Sequence, residues 1–422
     1  MNSPQPRPSR RQVLAAGAFL AHSPKALFGQ PRSLEPVRLG VIGIGIRGRR
    51  LMQNAFLPNE GFRVVAVCDV DEARMLDGKR RVDEHYGTED CAAVTKHEEL
   101  LAGDAVDAVV IATPDHWHAH QILDACIAKK DIYCEKPLTL TLREAQLVIE
   151  GVRKHGVVFQ TGSQQRSEFG HRFVAASEAV RAGRIGRVLN VNVGVGNPAV
   201  DCDLAGEDME PGLDWDRWLG PAPRRPYHSV LSPRGVHSHY PKWRWYREYA
   251  GGGLADMGAH HFDIAQWALG MDESGPVRVI PPSDPEALRG AMVEYANGIR
   301  LVHGGPHGAT FVGEKGVISV DRGRLGSLPE SLLDWEAPED QRLPRHGNHA
   351  ANWLDRIRDR GKPICHEEVG ARSVAICQLM NLAYQHRQEF EWGPAAWSLS
   401  GPEGSQAWRD YERREGYALP KA

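Results

Sequence analysis

Two textures of apolar and polar residues divide the chain. From residue 36 to 160, short unbroken apolar runs alternate with stretches whose apolar residues recur at helical spacing. Val37–Ile42 (VRLGVI), Phe62–Cys68, and residues 105–112, 131–135 and 157–160 read as strands buried on both faces, the signature of a parallel sheet. Segments 49–56, 118–129 and Leu142–His155 supply helices, and residues 83–101 form a connection with helical ends. This alternation predicts an α/β domain with a doubly wound parallel sheet, whose ligands bind at the carboxyl ends of the strands. After residue 160 the texture changes. Short alternating strands are predicted at 188–195, 290–295, 300–303 and 311–320, between long loops rich in Gly, Pro and Trp. With helices at 348–360 and Glu367–His386, residues 161–422 are expected to form an α+β domain with a mostly antiparallel, open-faced sheet.

Residues 1–34 differ from both parts. They carry Arg7, Arg10, Arg11, Lys25 and Arg32 and no acidic residue. The pair Arg10-Arg11 precedes a mildly apolar run at 13–21, which reads as a twin-arginine export signal and predicts a periplasmic address. The run is too short to span a membrane. No clean A-x-A site follows, so an uncleaved segment stays open; the alternative is a basic tail with no targeting role.

Composition narrows the picture further. The chain of 422 residues is long enough for two cores. Its 51 basic and 54 acidic residues leave a net charge of -3, which gives no electrostatic case for nucleic acid or a membrane surface. The seven cysteines do not suggest a disulfide framework: Cys68, Cys126, Cys134 and Cys377 fall in apolar strand or helix patterns. Five of the 11 tryptophans (Trp215, Trp218, Trp243, Trp245, Trp267) crowd one stretch. Such residues mostly pack in cores, but their loop setting suits stacking on a sugar ring, for which Trp245 is a candidate.

The first strand runs straight into Gly43-Ile44-Gly45-Ile46-Arg47-Gly48. In a G-x-G-x-x-G at this position, glycines allow the tight turn and the approach of backbone to a pyrophosphate. The second strand ends at Asp69, where a carboxylate accepts ribose hydroxyls and repels a 2′-phosphate. NAD is therefore expected over NADP, with Arg47 and Arg74 as the residues that would accommodate a phosphate instead. In the second half, Gly251-Gly252-Gly253 precede Asp256 and His260, four apart on one helical face. A carboxylate beside that imidazole would fix its tautomer and raise its basicity, as a general base needs. Asp263 falls on the same side.

The fingerprint GIGIRG, then ATPDHWHAH, YCEKPL, GSQQRS and GGGLADMGAHHFD, in this order and spacing, resemble the Gfo/Idh/MocA oxidoreductases. The resemblance covers most of the chain past residue 34. It implies a Rossmann domain followed by an open-faced sheet domain used for homo-oligomerisation. It implies further that Lys136 polarises the reacting hydroxyl, with a cis bond before Pro137. Asp256 and His260 would sit on the catalytic helix, with His260 as proton acceptor. Thr113, Pro114 and His118 would lie beneath the nicotinamide ribose, with Glu135 close by. Gln164 and Arg166 match a subgroup stretch with a substrate or cofactor role, and Asp263 joins them as a substrate candidate.

His116, His118 and His120 form an H-x-H-x-H run, and His237, His239 and His261 lie elsewhere. Beside a cofactor loop this argues for packing, and no metal is expected. The expected function is an exported NAD(H)-dependent oxidoreductase acting on a sugar, cyclitol or glycoside hydroxyl. Because a periplasm offers no ready nicotinamide pool, the cofactor is expected to travel bound. Two alternatives remain: a redox-neutral, NAD-dependent glycoside hydrolase, and a non-catalytic, nucleotide-bound sugar sensor.

Overall fold

The computed structural model describes residues 35–209 and 211–421; the twin-arginine segment lies outside the described residues. The first domain alternates strands and helices: β1 (Val37–Ile42), α1 (Ile46–Leu51), β2 (Phe62–Cys68), α2 (Glu72–Tyr86), β3 (Ala92–Val94), α3 (His97–Leu101), β4 (Ala108–Ile111), α4 (Asp115–Ile127), β5 (Asp131–Cys134), α5 (Leu142–His155) and β6 (Phe159–Thr161). All six strands are parallel in the order β3-β2-β1-β4-β5-β6. Strands β4 and β5 are buried throughout, which is why they read as continuous apolar runs. The order reverses between β1 and β4, so the crevice at their carboxyl ends is where a ligand can enter.

Local chemistry fixes the helix ends. Helix α5 opens with a capping box, in which Thr141 Oγ1 accepts the Glu144 N–H at 3.2 Å and Glu144 accepts the Thr141 N–H at 3.1 Å. Helix α2 begins earlier than its apolar pattern suggests. Asp71 caps it by accepting the Arg74 N–H at 2.9 Å, and Val82 is its one buried aliphatic residue. Strand β3, unpredicted, is three residues at the sheet edge, the first exposed and the other two half-buried. Helix α4 starts at Asp115 rather than 118, so all three histidines of the H-x-H-x-H run lie inside it.

The second domain contains α6 (Arg172–Arg181), β7 (Val188–Gly194), α7 (Trp215–Leu219), α8 (Gly252–Ala268), β8 (Arg278–Ile280), β9 (Met292–Glu294), β10 (Arg300–Gly313), β11 (Gly316–Val320), β12 (Leu325–Leu328), α9 (His349–Asp359), α10 (Glu367–His386), β13 (Phe390–Gly393) and β14 (Ser398–Ser400). Its eight strands run β12-β11-β10-β9-β8-β13-β14, with β7 paired to β10. Strand β10 merges the expected 300–303 strand with the start of 311–320. It folds round β7, so Leu301 and Phe311 both register with Val191. The rest of 311–320 returns as β11 through a hairpin that pairs Gly313 with Gly316.

Helices from the carboxyl-terminal part tie the domains together. Helix α10 is buried nearly all round and packs on both α5 and α8. Helix α9 inserts Trp353 against Phe56, Phe62 and Tyr133 of the first domain, with ring centroids 6.1, 5.5 and 5.7 Å away. Trp215, Trp218 and Trp243 form a separate cluster with Tyr227, Tyr246 and Tyr249, and Trp215 stacks on Trp218 at 4.7 Å. All seven cysteines are free.

Candidate active site

The glycine loop after β1 is shaped by contacts that a side chain would break. Gly43 has φ +89°, and a Cβ there would lie 2.8 Å from the Thr113 nitrogen. A Cβ at Gly48 would reach to 1.9 Å from the Gly43 oxygen, whereas one at Gly45 would meet nothing within 4 Å. Gly43 and Gly48 therefore close the turn against β4 and α1, and Gly45 borders open space of the kind a pyrophosphate occupies. Asp69 accepts the N–H groups of Ile44 at 2.7 Å and Asp71 at 2.9 Å. Burial raises its pKa, against the opposing pull of Arg74 and those two donors. The cavity beyond is lined by Thr113 and Pro114 and covered by Pro233, His237, Trp243 and Arg244 of the second domain.

The two arginines able to answer a 2′-phosphate are already engaged. Arg74 donates to the Gly235 carbonyl and Ser232 Oγ, both at 3.2 Å, and to the Pro233 carbonyl. Arg47 pairs with Glu135 at 2.7 Å. These residues fit NAD, and Asp69 is the residue that would meet the adenosine ribose. Asp69→Asn is expected to weaken NAD binding by about 10-fold or more, the weight of charged hydrogen bonds, and to narrow the preference over NADP. Fluorescence titration with both nucleotides checks this; unchanged affinities would remove Asp69 from the site.

A second cavity continues from the first through their shared lining of Arg47, Ala112, Thr113, Trp243 and Arg244. It brings together Glu135, Lys136, Gln164, Asp256 and His260. Lys136 follows β5 on the loop to α5, its bond to Pro137 is cis as the resemblance implies, and Asp256 and His260 stand on α8. Lys136 Nζ donates to Asp256 twice, to Oδ1 and to the backbone oxygen, each at 2.7 Å. The expected pairing of Asp256 with His260 is thereby corrected: the carboxylate is turned to the lysine, and among the described residues the buried His260 Nδ1 finds no hydrogen-bond partner. Burial raises the Asp256 pKa, but Lys136 and Arg244 outweigh it and hold it below its ordinary value. Glu135 is likewise lowered, burial being overcome by Arg47.

His260 is pushed well below its ordinary pKa, first by burial and then by Lys136 and Arg322. A neutral imidazole can accept a proton at physiological pH. Lys136 spends two of its three donors on Asp256, leaving one for an oxygen on which charge develops. When bound, NAD supplies the hydride acceptor. The protein groups can thus remove a hydroxyl proton and stabilise the alkoxide.

The three glycines before α8 serve the fold. A Cβ on Gly252 would lie 2.5 Å from the Ala199 nitrogen and one on Gly253 2.9 Å from the Gly196 Cα. Four candidates do not reach the cavity. Arg166 forms a buried fork with Asp263, at 2.8 and 2.9 Å, and also binds Asp272 at 2.7 Å. Asp263 is engaged further by Ser373. Both are structural because charge this deep must be paired. Trp245 is 52% exposed and lies 4.9 Å under Lys242; Trp243, two residues earlier, faces the cavity. His118 sits behind the cofactor loop, its two nitrogens on the carbonyls of Pro137 and Thr113. His116 and His120 turn to the carbonyls of Trp218 and Tyr417. His237 packs on His239, and His261 faces Gln165 and His307. Gln164 does reach the cavity, bonding Glu135 at 3.1 Å. Sequence reasoning missed Asp115, Glu168, Tyr240, Arg244 and Arg322, all on the cavity wall.

Known proteins resemble this chain in both of its domains. Residues 37–163 match the family model for an oxidoreductase family with an NAD-binding Rossmann fold, and residues 199–418 match that family's C-terminal alpha/beta domain. The uncharacterized oxidoreductase YrbE of Bacillus subtilis is 26% identical over 316 residues, covering 70% of this chain and 77% of the relative. Myo-inositol 2-dehydrogenase of Thermotoga maritima is 28% identical over 236 residues, a match that spans only 56% of either chain. The fold resembles that of the WlbA dehydrogenase from Bordetella pertussis, crystallised with NADH and UDP-GlcNAcA. The TM-score is 0.59 at 18% identity, covering 85% of this chain and 99% of the other. With both of its domains matched and the nucleotide crevice formed, the chain belongs to the Gfo/Idh/MocA family of oxidoreductases and carries that family's NAD-binding Rossmann domain.

Proposed function

We propose that this protein oxidises or reduces a hydroxyl of a sugar, cyclitol or glycoside, with NAD(H) as a retained cofactor, and that it works after export. The observation that carries the reaction is the meeting of Lys136 and a neutral His260 in one cavity that opens onto the dinucleotide crevice. His260 takes the hydroxyl proton, Lys136 stabilises the alkoxide, and Asp256 holds the lysine in place. The inositol in one relative's name and the UDP-GlcNAcA crystallised with the WlbA dehydrogenase support the polyhydroxylated class. Retention is supported by the cover of second-domain residues over the crevice, where Arg49 and Arg74 bind carbonyls of 233–237. Export rests on Arg10-Arg11 and the apolar run after them. Self-association through the open face of the second sheet completes the proposal.

One observation favours the redox-neutral glycosidase as a second reading. Burial pushes the carboxyl of Asp115, on the same cavity wall, up to about 8. It therefore carries a proton at neutral pH, as a leaving aglycone oxygen requires. A panel of polyols, free sugars and aryl glycosides, assayed for both NADH and released aglycone, separates the readings. NADH accumulation supports the oxidoreductase, aglycone without net NADH supports the hydrolase, and neither output with any substrate would sink both.

A further inference from the structure

The catalytic cavity holds one cation more than its own groups answer. Lys136 and Arg47 have carboxylate partners, Asp256 and Glu135, each at 2.7 Å. Arg244 comes only to 3.9 Å from Asp256 and rests on the rings of Trp243 and Tyr240, at 4.1 and 5.0 Å. Arg322, on the turn between β11 and β12, differs from all of them. Among the described residues, no carboxylate oxygen comes within the 4.0 Å of an ion pair with it, and Asp256, Glu135 and Glu168 act on it only at longer range. Among the described residues its buried Nε finds no hydrogen-bond acceptor, and the Phe169 ring lies 4.9 Å from the guanidinium carbon.

The remaining carboxyls of the cavity do not fill the gap. Glu168 accepts the His349 amide, and its pKa is raised by burial. Asp115, pushed up to about 8 by burial, is uncharged at neutral pH. Partly desolvated guanidinium groups are ordinarily paired, because burying an unanswered charge is costly. The planar fork of an arginine matches an oxyanion with two oxygens in one plane, as in a carboxylate or phosphate.

We propose that Arg322, with Arg244 on the same wall, is the recognition site for an anionic group of the substrate: a carboxylate or a phosphate ester on a sugar or polyol. The inference rests on the sugar-oxidoreductase reading and names its substrate class. The anion anchors the ring at Arg322, and the reacting hydroxyl lies between Lys136 and His260. Held at both ends, the ring presents one carbon for hydride transfer.

The test uses the full chain saturated with NAD, so that the pyrophosphate site is filled. Thermal unfolding is followed with inorganic phosphate or acetate added at constant ionic strength, for the wild type and for Arg322→Gln. At least one anion is expected to raise the wild-type Tm and to leave the variant unmoved, while both proteins retain NAD. In parallel, kcat/KM is compared for glucose, glucuronate and glucose 6-phosphate, and for the galactose series. An acidic sugar is expected to exceed its neutral parent by about 10-fold or more, through KM, and Arg322→Gln is expected to erase that advantage, read as the ratio of acidic to neutral sugar within each protein. Preference for the uronate assigns a carboxylate; preference for the phosphate ester assigns a phosphate. An equal Tm response to both anions in the two proteins overturns the proposal, whatever the sugars do. If none of these sugars is turned over, the wider panel of polyols, sugars and glycosides decides the sugar-oxidoreductase reading, and the anion response still decides the role of Arg322.

Discussion

His260→Ala is expected to lower kcat by about 10²–10⁴-fold, the usual contribution of a positioned general base, with NAD still bound. The pH profile carries a second signature. Because burial and neighbouring cations hold His260 below its ordinary pKa, the wild-type base remains unprotonated through neutral pH. The acid limb of kcat/KM should therefore lie below pH 6.5, the reference value for histidine, with activity lost as pH falls through the lowered pKa. In His260→Ala that limb should disappear, and added imidazole should restore part of the rate. Lys136→Met should be as damaging by a different route, since it removes the alkoxide's donor and the foremost of the cations that lower the Asp256 pKa. NADH absorbance in single turnovers checks both variants. Rates within tenfold of wild type would dismiss the assignment.

The largest effect on stability is expected at Arg166. Its side chain and that of Asp263 are 2% and 0% exposed, and Trp267 covers the guanidinium at 4.9 Å. Removing one partner of such a pair leaves a buried charge unanswered, at a cost of about 3–5 kcal/mol. Arg166→Ala should lose that much in denaturant unfolding, and KM of the folded fraction should hold. Replacing Arg166 and Asp263 together by apolar residues should recover much of the loss, because the pair's net contribution is small compared with the penalty of breaking it. A raised KM with unchanged stability would return Arg166 to the substrate side.

These two sites also show what can be read along a chain. The glycine loop and the Asp256/His260 helix are local patterns, each contained in one element, and so they were legible, whereas Lys136 came with the family resemblance. The partner of Asp256 was not, because its hydrogen bond joins residues 120 positions apart. Arg166 and Asp263 resembled site residues as long as Asp272, which shares their network, was out of view. Trp243 and Trp245 are indistinguishable in sequence, but a 3-10 turn over Lys242–Trp245 sends them to different sides. Arg322 stands in a turn with no periodicity to mark it. The parallel half of the fold was readable because doubly buried strands are continuous apolar runs. The wrap of β10 round β7 was hidden, since pairing with both flanks of one strand leaves the same alternation as pairing with one.

The insertion of α9 beneath the first sheet bears on how this protein can be re-engineered. A fragment ending at residue 163, where the match to the nucleotide-binding model stops, would leave Phe56, Phe62 and Tyr133 without Trp353. Glu144 would also lose its counter-charge, Arg413, which it binds at 2.6 Å from the far end of the chain. The nucleotide-binding half is therefore not a cassette. A chimera meant to exchange cofactor preference with a relative must transplant residues 349–359 and the carboxyl-terminal arginine with it, or limit the exchange to the glycine loop and Asp69.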